Sequence, residues 1–126
     1  MIAHWVYISD SFSLDMLPYP LPATLSFREI SLEEAKEILQ GKYETTHSLV
    51  GSPNKAHIIS RRLGCNVPPS RRTSEHLRSY VSLIVAEVSV PNDKRKIWEL
   101  LDNDAIDHLP IKFTIVEIVE ISARSF

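Results

Sequence analysis

Runs of apolar residues along the chain predict four or five β-strands. These runs are rich in β-branched and aromatic residues, which favour a pleated, half-buried surface. Four of them cover residues 2–8, 24–30, 80–90 and 111–121, and residues 43–50 form a shorter strand or a connection. Prolines at positions 18, 20 and 22 exclude regular structure between the first two runs and hold the chain extended there.

Helical spacing with recognisable start and stop signals predicts three helices. A serine with a glutamate three residues later forms a capping box at the start of the first helix, which spans residues 31–41 and ends at a glycine. A serine followed directly by proline opens the second helix, which spans residues 52–63 and stops before a glycine. A third, shorter helix is predicted at residues 93–101, followed by an acidic loop at 102–107.

The order of these elements predicts the fold class. Strand, strand, helix, helix, strand, helix, strand is typical of an α/β protein, with a mixed sheet of four to five strands and about three helices packed on it. The 126 residues are the size of one domain, so we expect a single domain over residues 1–126. The composition, 44% hydrophobic and 24% charged, is that of a globular protein and excludes disorder as the default.

The sequence lacks the features of membrane and secreted proteins, which indicates the cellular compartment. No apolar run reaches the roughly 20 residues of a membrane span. No basic region precedes the first strand as it would in a secretory signal. The single cysteine, Cys65, excludes an intramolecular disulfide, suits a reducing compartment and is interpreted as a packing residue. We therefore expect a cytoplasmic protein without a membrane partner.

The positive charge of the chain is concentrated in one segment. The net charge is −2, but residues 51–80 carry six cationic residues and one acid, while the remaining eight cations and fifteen acids lie elsewhere. The segment thus has a net charge of +5 in an otherwise acidic protein. Such a local field favours a small anionic ligand held in one place over a long nucleic acid. A solvated basic loop is the alternative interpretation.

The start of the second helix is a possible anion site. Gly51 would let a ligand approach the backbone, and the free amides of the first turn carry partial positive charge. Ser52 could donate its hydroxyl and Lys55 its charge. Alternatively, Ser52 serves only as the helix cap. Arginine pairs at 61–62 and 71–72 suit phosphate recognition, although the first pair could instead balance the helix dipole.

Candidates for proton transfer are few. His47 and His57 flank the glycine turn and could act as general acid or base if they faced a ligand, although histidines of this kind usually lie on the surface or are partly packed. The chain has no histidine or cysteine spacing typical of a metal site. We therefore expect neither a metal nor a cofactor.

Four stretches of the chain stand out as motifs, namely SFSLDML at 11–17, FREISLEEAKEIL at 27–39, SLVG at 48–51 and LGCNVPPSR at 63–71. They resemble stretches of the viral ring nucleases, the type III anti-CRISPR proteins that bind and cleave cyclic tetra-adenylate. Each is similar to a family motif, and the spacing between them is kept. Together with the first strand they span about residues 3–72, and the match fades beyond Arg72.

The resemblance is lost at the positions that the family uses for cleavage of the nucleotide. Family members carry a histidine after the glycine turn, thought to be the general acid, whereas this chain has Ser52 followed by Pro53. The family's R-L-x-E-G stretch after the long strand is replaced by residues 89–93, which contain no arginine. Serine does not exchange a proton near neutral pH as imidazole does. This pattern is expected of a protein that holds a nucleotide without cutting it, or of one that holds a different nucleotide.

By resemblance, the chain is expected to be a homodimer with one ligand site across the dimer interface, acting in the infected host cell. The expected function is to bind and sequester a small cyclic or ADP-ribose-type nucleotide second messenger of host immunity. The alternatives are an active ring nuclease that uses His47 or His57, and a protein-binding module. The expected binding residues are Asp10, Ser11, Phe12, Ser13, Gly51, Ser52, Asn54, Lys55 and Arg71.

Overall fold

The computed structural model describes residues 5–19, 22–41, 45–89 and 103–121. A short 3-10 turn at Leu14–Met16 follows the first strand. The regular elements are β1 (Trp5–Ser9), β2 (Ala23–Ile30), α1 (Leu32–Gly41), β3 (Thr45–Ser48), α2 (Pro53–Leu63), β4 (Val81–Val88), α3 (Asn103–Asp107) and β5 (Ile111–Ile121). This single domain with a mixed sheet and helices confirms the predicted α/β fold.

The five strands form one sheet in the order β2-β5-β4-β1-β3. β1 is parallel to both β3 and β4, whereas β5 is antiparallel to both β4 and β2. Ile8 is level with Ser48, and the amide of Leu49 donates to the carbonyl of Ile8 at 2.7 Å. The chain segments that follow β1 and β3 therefore start side by side at the same edge of the sheet.

Both long helices begin and end as the sequence predicts. The Ser31 hydroxyl accepts from the Glu34 amide at 3.1 Å, and the Ser52 hydroxyl accepts from the Lys55 amide at 3.2 Å. Gly64 ends α2 in the left-handed conformation, with φ at 69°, where a side chain would be strained.

The two faces of the sheet are covered differently. On one face, buried side chains of β1, β4 and β5 pack against the apolar sides of α1 and α2. On the opposite face, here called the open face, two loops supply the cover through Met16 and Leu77. The amide of Leu77 donates to the carbonyl of Met16 at 2.9 Å, which joins these loops. The cover stops short of Phe27 on β2, which is 56% exposed.

One element differs from the prediction, and another cannot be compared. Residues 103–107 form α3 rather than an acidic loop, because Ile106 and Leu109 are buried against Ile58 of α2. The acidic residues around them concealed this apolar contact in the sequence. The helix predicted at 93–101 lies outside the described residues. Within the described part of the chain, no helix has the length and apolarity needed to cross a membrane.

Candidate functional site

Two of the predicted site segments meet at the carboxyl end of β1. Asp10, the first residue after β1, has a carboxylate oxygen 3.3 Å from the ammonium nitrogen of Lys55 in the first turn of α2. Both side chains are partly buried, at 19% and 34% exposure respectively. The pair holds the first loop against the start of α2, because β1 and β3 are adjacent parallel strands and their carboxyl ends lie together.

The third predicted segment lies against the same helix start. The amide of Ser70 donates to the carbonyl of Val50 at 2.8 Å, which fixes the loop that carries Arg71. A Cβ atom on Gly51 would lie 2.8 Å from Cγ2 of Thr73. Gly51 does not have a positive φ, so this close approach is what requires a glycine there. The backbone around Arg71 is therefore held beside the first turn of α2.

The two arginines of this loop have different surroundings. Arg72 donates to Glu75 at 2.6 Å. Arg71 is exposed and makes no hydrogen bond or ion pair with any other described residue. Arg71 is thus the arginine of the pair whose guanidinium has its donors available to a ligand.

The serine and asparagine of the α2 start have more limited roles. The Ser52 oxygen already accepts the Lys55 amide, so the capping interpretation is correct, and its hydroxyl proton is left to donate. Asn54 is exposed on the first turn. Neither residue carries the charge needed to attract an anion, which leaves Lys55 and Arg71 for that role.

A cleft of about 480 Å³ lies on the open face next to Asp10. We call it the open-face cleft. The first loop contributes Asp10, Ser11 and Phe12 to its lining, whereas Ser13 does not line it and instead accepts the Met16 amide through its carbonyl. The remaining lining residues come from β2, β4 and β5, and are Phe27, Val85, Glu87, Lys112, Thr114 and Val116.

Sequence reasoning missed the strand residues of this cleft. Glu87 on β4 and Lys112 on β5 are direct cross-strand partners. Glu87 is the one charged residue of β4, and Lys112 is the one basic residue of β5. These two charges were the signal that the sequence offered. The ring of Phe12 meets that of Phe27 edge to face, with centroids 5.3 Å apart. The cleft therefore joins an aromatic wall to two carboxylates and one ammonium group.

The two candidate histidines are not brought together. His47 lies on edge strand β3, where its ring contacts those of Trp5 and Tyr7 at centroid distances of 5.2 and 5.6 Å. His57 lies exposed on α2 and lines a separate depression beside Cys65. Neither histidine lines the open-face cleft. The positions flank the glycine turn in sequence, but the side chains face different parts of the surface.

The remaining candidate residues are engaged in contacts within the fold. Arg61 donates to both carboxylate oxygens of Asp107, at 2.7 and 3.0 Å, and Arg62 donates to the carbonyl of Leu109. Cys65 is half-buried against the helix-side core, and burial raises the pKa of its thiol. Over residues 5–19, 22–41, 45–89 and 103–121, no three histidine, cysteine or acidic side chains group as metal ligands would.

Together these features define a small α/β protein whose ligand-sized cleft lies where the loop cover of one sheet face ends, beside the carboxyl end of a parallel strand. The family model described as STIV B116-like matches residues 6–113, and the chain belongs to this family. The fold is similar to that of B116 of Sulfolobus turreted icosahedral virus, with a TM-score of 0.67 and 16% sequence identity. The match covers 89% of this chain and 97% of that chain.

A search of curated proteins finds no match to this chain. The family takes its name from a viral protein, which agrees with the viral part of the predicted resemblance. At 16% identity the structural likeness shows the fold alone. The narrower assignment to the ring nucleases remains a prediction.

Proposed function

We propose that this protein binds a small cyclic or ADP-ribose-type nucleotide second messenger and sequesters it without cleaving it, as an anti-defence protein of a virus would inside its host cell. The observation that carries the proposal is the Asp10–Lys55 contact, because it joins the first loop and the start of α2 beside the unpaired Arg71. Three segments that are distant in sequence thus form one surface.

The phosphate end of the ligand fits the start of α2. Its first-turn amides and helix dipole favour an anion. Arg71 offers a planar fork for two phosphate oxygens, and Lys55 a point charge. Asp10 neutralises Lys55 in the absence of ligand, so a bound phosphate must either displace this carboxylate or share the ammonium group with it. Arg71 consequently supplies most of the free positive charge.

The uncharged part of the ligand fits the open-face cleft. Its volume of about 480 Å³ lies within the roughly 300–1,000 Å³ of small-molecule sites. Phe12 and Phe27 provide apolar ring surface for a base or a ribose. Asp10 and Glu87 can accept hydrogen bonds from sugar hydroxyls or an exocyclic amine. The excess of acids makes this cleft unsuitable for the phosphates themselves.

The absence of cleavage follows from which groups stand beside the bound phosphate. Ser52 holds the position of the family's histidine, and its oxygen is engaged as the helix cap. His47 and His57 line other depressions, so neither can deliver a proton at the start of α2 without a rearrangement. General acid catalysis needs the proton donor within hydrogen-bond reach of the leaving group.

A second copy of the chain would complete the site. Four large apolar side chains of the described residues are exposed, namely Leu14 at 78%, Tyr19 at 83%, Phe27 at 56% and Val119 at 65%. The ring of Phe27 contacts that of Phe12, and the two form an apolar surface at the edge of the loop cover that an interface would bury. Because Phe27 also lines the open-face cleft, a partner docked there would enclose the ligand.

The proposal is tested by calorimetric titration with cyclic tetra-adenylate, other cyclic oligonucleotides and ADP-ribose. Arg71→Ala should weaken binding by roughly 10- to 150-fold, since a charge-assisted guanidinium contact contributes about 1.5 to 3 kcal/mol. The melting temperature should stay nearly unchanged, because an exposed arginine adds little to stability. Arg71→Lys should recover only part of the affinity.

Arg78→Ala is the matched control, because Arg78 is also exposed in the basic segment but lies outside the matched stretches. It should change affinity by less than about threefold through long-range charge. Equal losses of affinity in Arg71→Ala and Arg78→Ala would mean that the basic segment attracts the ligand through its overall charge rather than through a defined site. Recovery of intact labelled ligand after prolonged incubation separates a sequestering protein from a nuclease, and no binding to any of these nucleotides would overturn the proposal.

A further inference from the structure

A second, smaller cleft lies between the β1–β3 edge of the sheet and the loop after α2. It has a volume of about 210 Å³, and we call it the aromatic cleft. Trp5, Tyr7 and His47 line it from the strands, and Ser70, Arg72 and Glu75 line it from the loop. This volume is below the roughly 300–1,000 Å³ of most small-molecule sites. The cleft therefore suits one planar ring system rather than a whole nucleotide.

The walls of this cleft present aromatic surface. Trp5 and His47 have ring centroids 5.2 Å apart at an interplanar angle of 44°, and Tyr7 meets His47 nearly at a right angle. Tyr80 packs edge-on against Trp5 from the other side, with centroids 5.9 Å apart, and holds the indole in place. The rings are thus fixed by their neighbours rather than free to fill the space.

The rim is polar and electrically balanced. Arg72 and Glu75 form an ion pair at 2.6 Å, with Glu75 23% and Arg72 73% exposed. A carboxylate accepts several hydrogen bonds and a guanidinium has five N–H donors, so the pair keeps both an acceptor and donors for a ligand. Burial, and then the charge of Glu75, raises the pKa of Tyr7, so its hydroxyl adds no charge to the cleft.

We infer that the aromatic cleft binds a nucleobase. The base stacks on the rings of Trp5 and His47, and Arg72 and Glu75 form hydrogen bonds with its edge. A base is flat, uncharged and carries donors and acceptors side by side, which matches walls of aromatic surface and a neutral rim. An organic cation would compete with Arg72 for Glu75. A purely apolar ring would leave the rim without partners.

The fold creates this site from parts that the sequence keeps separate. Residues 51–79 contain no phenylalanine, tyrosine or tryptophan, which argues against base stacking by the basic segment alone. The sheet places the rings of β1 and β3 against that segment. Arg71 does not line the aromatic cleft, so this site is independent of the proposed nucleotide site.

Tryptophan fluorescence provides a direct test. The chain has two tryptophans, so a Trp98→Phe background leaves Trp5 as the single reporter. Adenosine, guanosine, cytidine and uridine, all without phosphate, are titrated, with choline as the cationic probe. At least one nucleoside should quench Trp5 saturably at or below about 10 mM, whereas choline should not.

Two variants and two controls assign the effect to the cleft. His47→Ala and Glu75→Gln should each weaken nucleoside binding about tenfold, by removing a stacking face and a charged acceptor respectively. His57→Ala and Arg71→Ala should leave it unchanged. Circular dichroism melting checks that each variant is folded. A variant that does not fold is replaced by His47→Gln or Glu75→Ala, which remove the same ring or the same carboxylate and carry the same expectation.

The outcomes separate this inference from the proposed function. No saturable quenching by any nucleoside, equal quenching by choline, or equal loss in His47→Ala and His57→Ala would each overturn the aromatic cleft as a base site. Nucleoside binding that persists in Arg71→Ala supports it, even if no cyclic nucleotide binds and the proposed function fails. Loss of nucleoside binding in Arg71→Ala would mean that the two sites are one, contrary to the inference.

Discussion

At the residue scale, Ser52 shows how one side chain can belong to a candidate site and still have a separate structural role. Its oxygen accepts the Lys55 amide, one of the unpaired donors of the first turn of α2. Ser52→Ala should therefore lower the free energy of unfolding by about 1 kcal/mol, measured by urea denaturation. Ser13→Ala is the matched control, because Ser13 also precedes a helical turn but its side chain makes no capping bond. An equal loss in both variants would contradict the capping role.

Gly51 and Thr73 provide a second test at the same scale. A methyl group on Gly51 would lie 2.8 Å from Cγ2 of Thr73, closer than atoms pack. Gly51→Ala should destabilise the protein by about 1 kcal/mol or more through overpacking. Thr73→Ser removes the obstructing methyl and should restore most of that loss in the double variant, a coupling visible in a double-mutant cycle. Additive losses would show that the two residues do not touch.

The residue pairs of the site illustrate what a sequence can and cannot predict. The cap at Ser52 and the stop at Gly64 were predictable, because both signals are local and depend on residues within four positions. The contact of Asp10 with Lys55 depends on β1 lying beside β3, and no local pattern specifies that pairing. Resemblance to a family selected these positions, and the fold explains why they are adjacent.

At the element scale, a paired arginine and aspartate fasten the short helix α3 to α2. Hydrogen bonds from Arg61 hold the pKa of Asp107 below its ordinary value. A carboxyl group whose pKa is lowered by folding stabilises the protein above its unfolded pKa, and the effect disappears as the pH falls through the folded one. The wild type should therefore exceed Asp107→Asn in stability at neutral pH, and the difference should shrink as the pH falls below the ordinary aspartate pKa of about 4.

Thermal melting across this pH range checks the prediction. Arg61→Gln should flatten the same part of the pH profile, and the double variant should lose little more than either single one, because both remove the same contact. A difference between wild type and Asp107→Asn that persists unchanged in acid would contradict the assignment of the ion pair as its source.

The same element marks a limit of pattern reasoning. Residues 102–107 contain three acids, and polarity alone indicates a loop. Burial of Ile106 and Leu109 against Ile58 orders them as a helix, and this contact involves residues nearly fifty positions apart. The strands were predicted well because their apolar runs are long. The open-face cleft was not, because its lining joins three strands whose order in the sheet cannot be deduced from the sequence.

At the scale of the whole molecule, the exposed part of the open face leads to a prediction about assembly. If a second copy docks there, Phe27→Glu places a charge in the interface and should shift a dimer to monomer in sedimentation velocity. Ser26→Lys is the control, because Ser26 is exposed on the same strand but faces the other side of the sheet, where the new charge lies opposite Glu117. A wild type that stays monomeric at all accessible concentrations would overturn the dimer.

The order of strands in the sheet also determines when the open-face cleft can form during synthesis of the protein. Among the described strands, β2 pairs only with β5, and Phe27 is opposite Val116, 89 positions later in the chain. A nascent chain that has reached β4 can already pair β1 with β3 and β4, but β2 still has no partner. β5 supplies Lys112, Thr114 and Val116 to the open-face cleft, so the cleft forms only after β5 has left the ribosome. Translation products that stop before β5 therefore lack the cleft, even though they contain all the residues of the first loop and of α2.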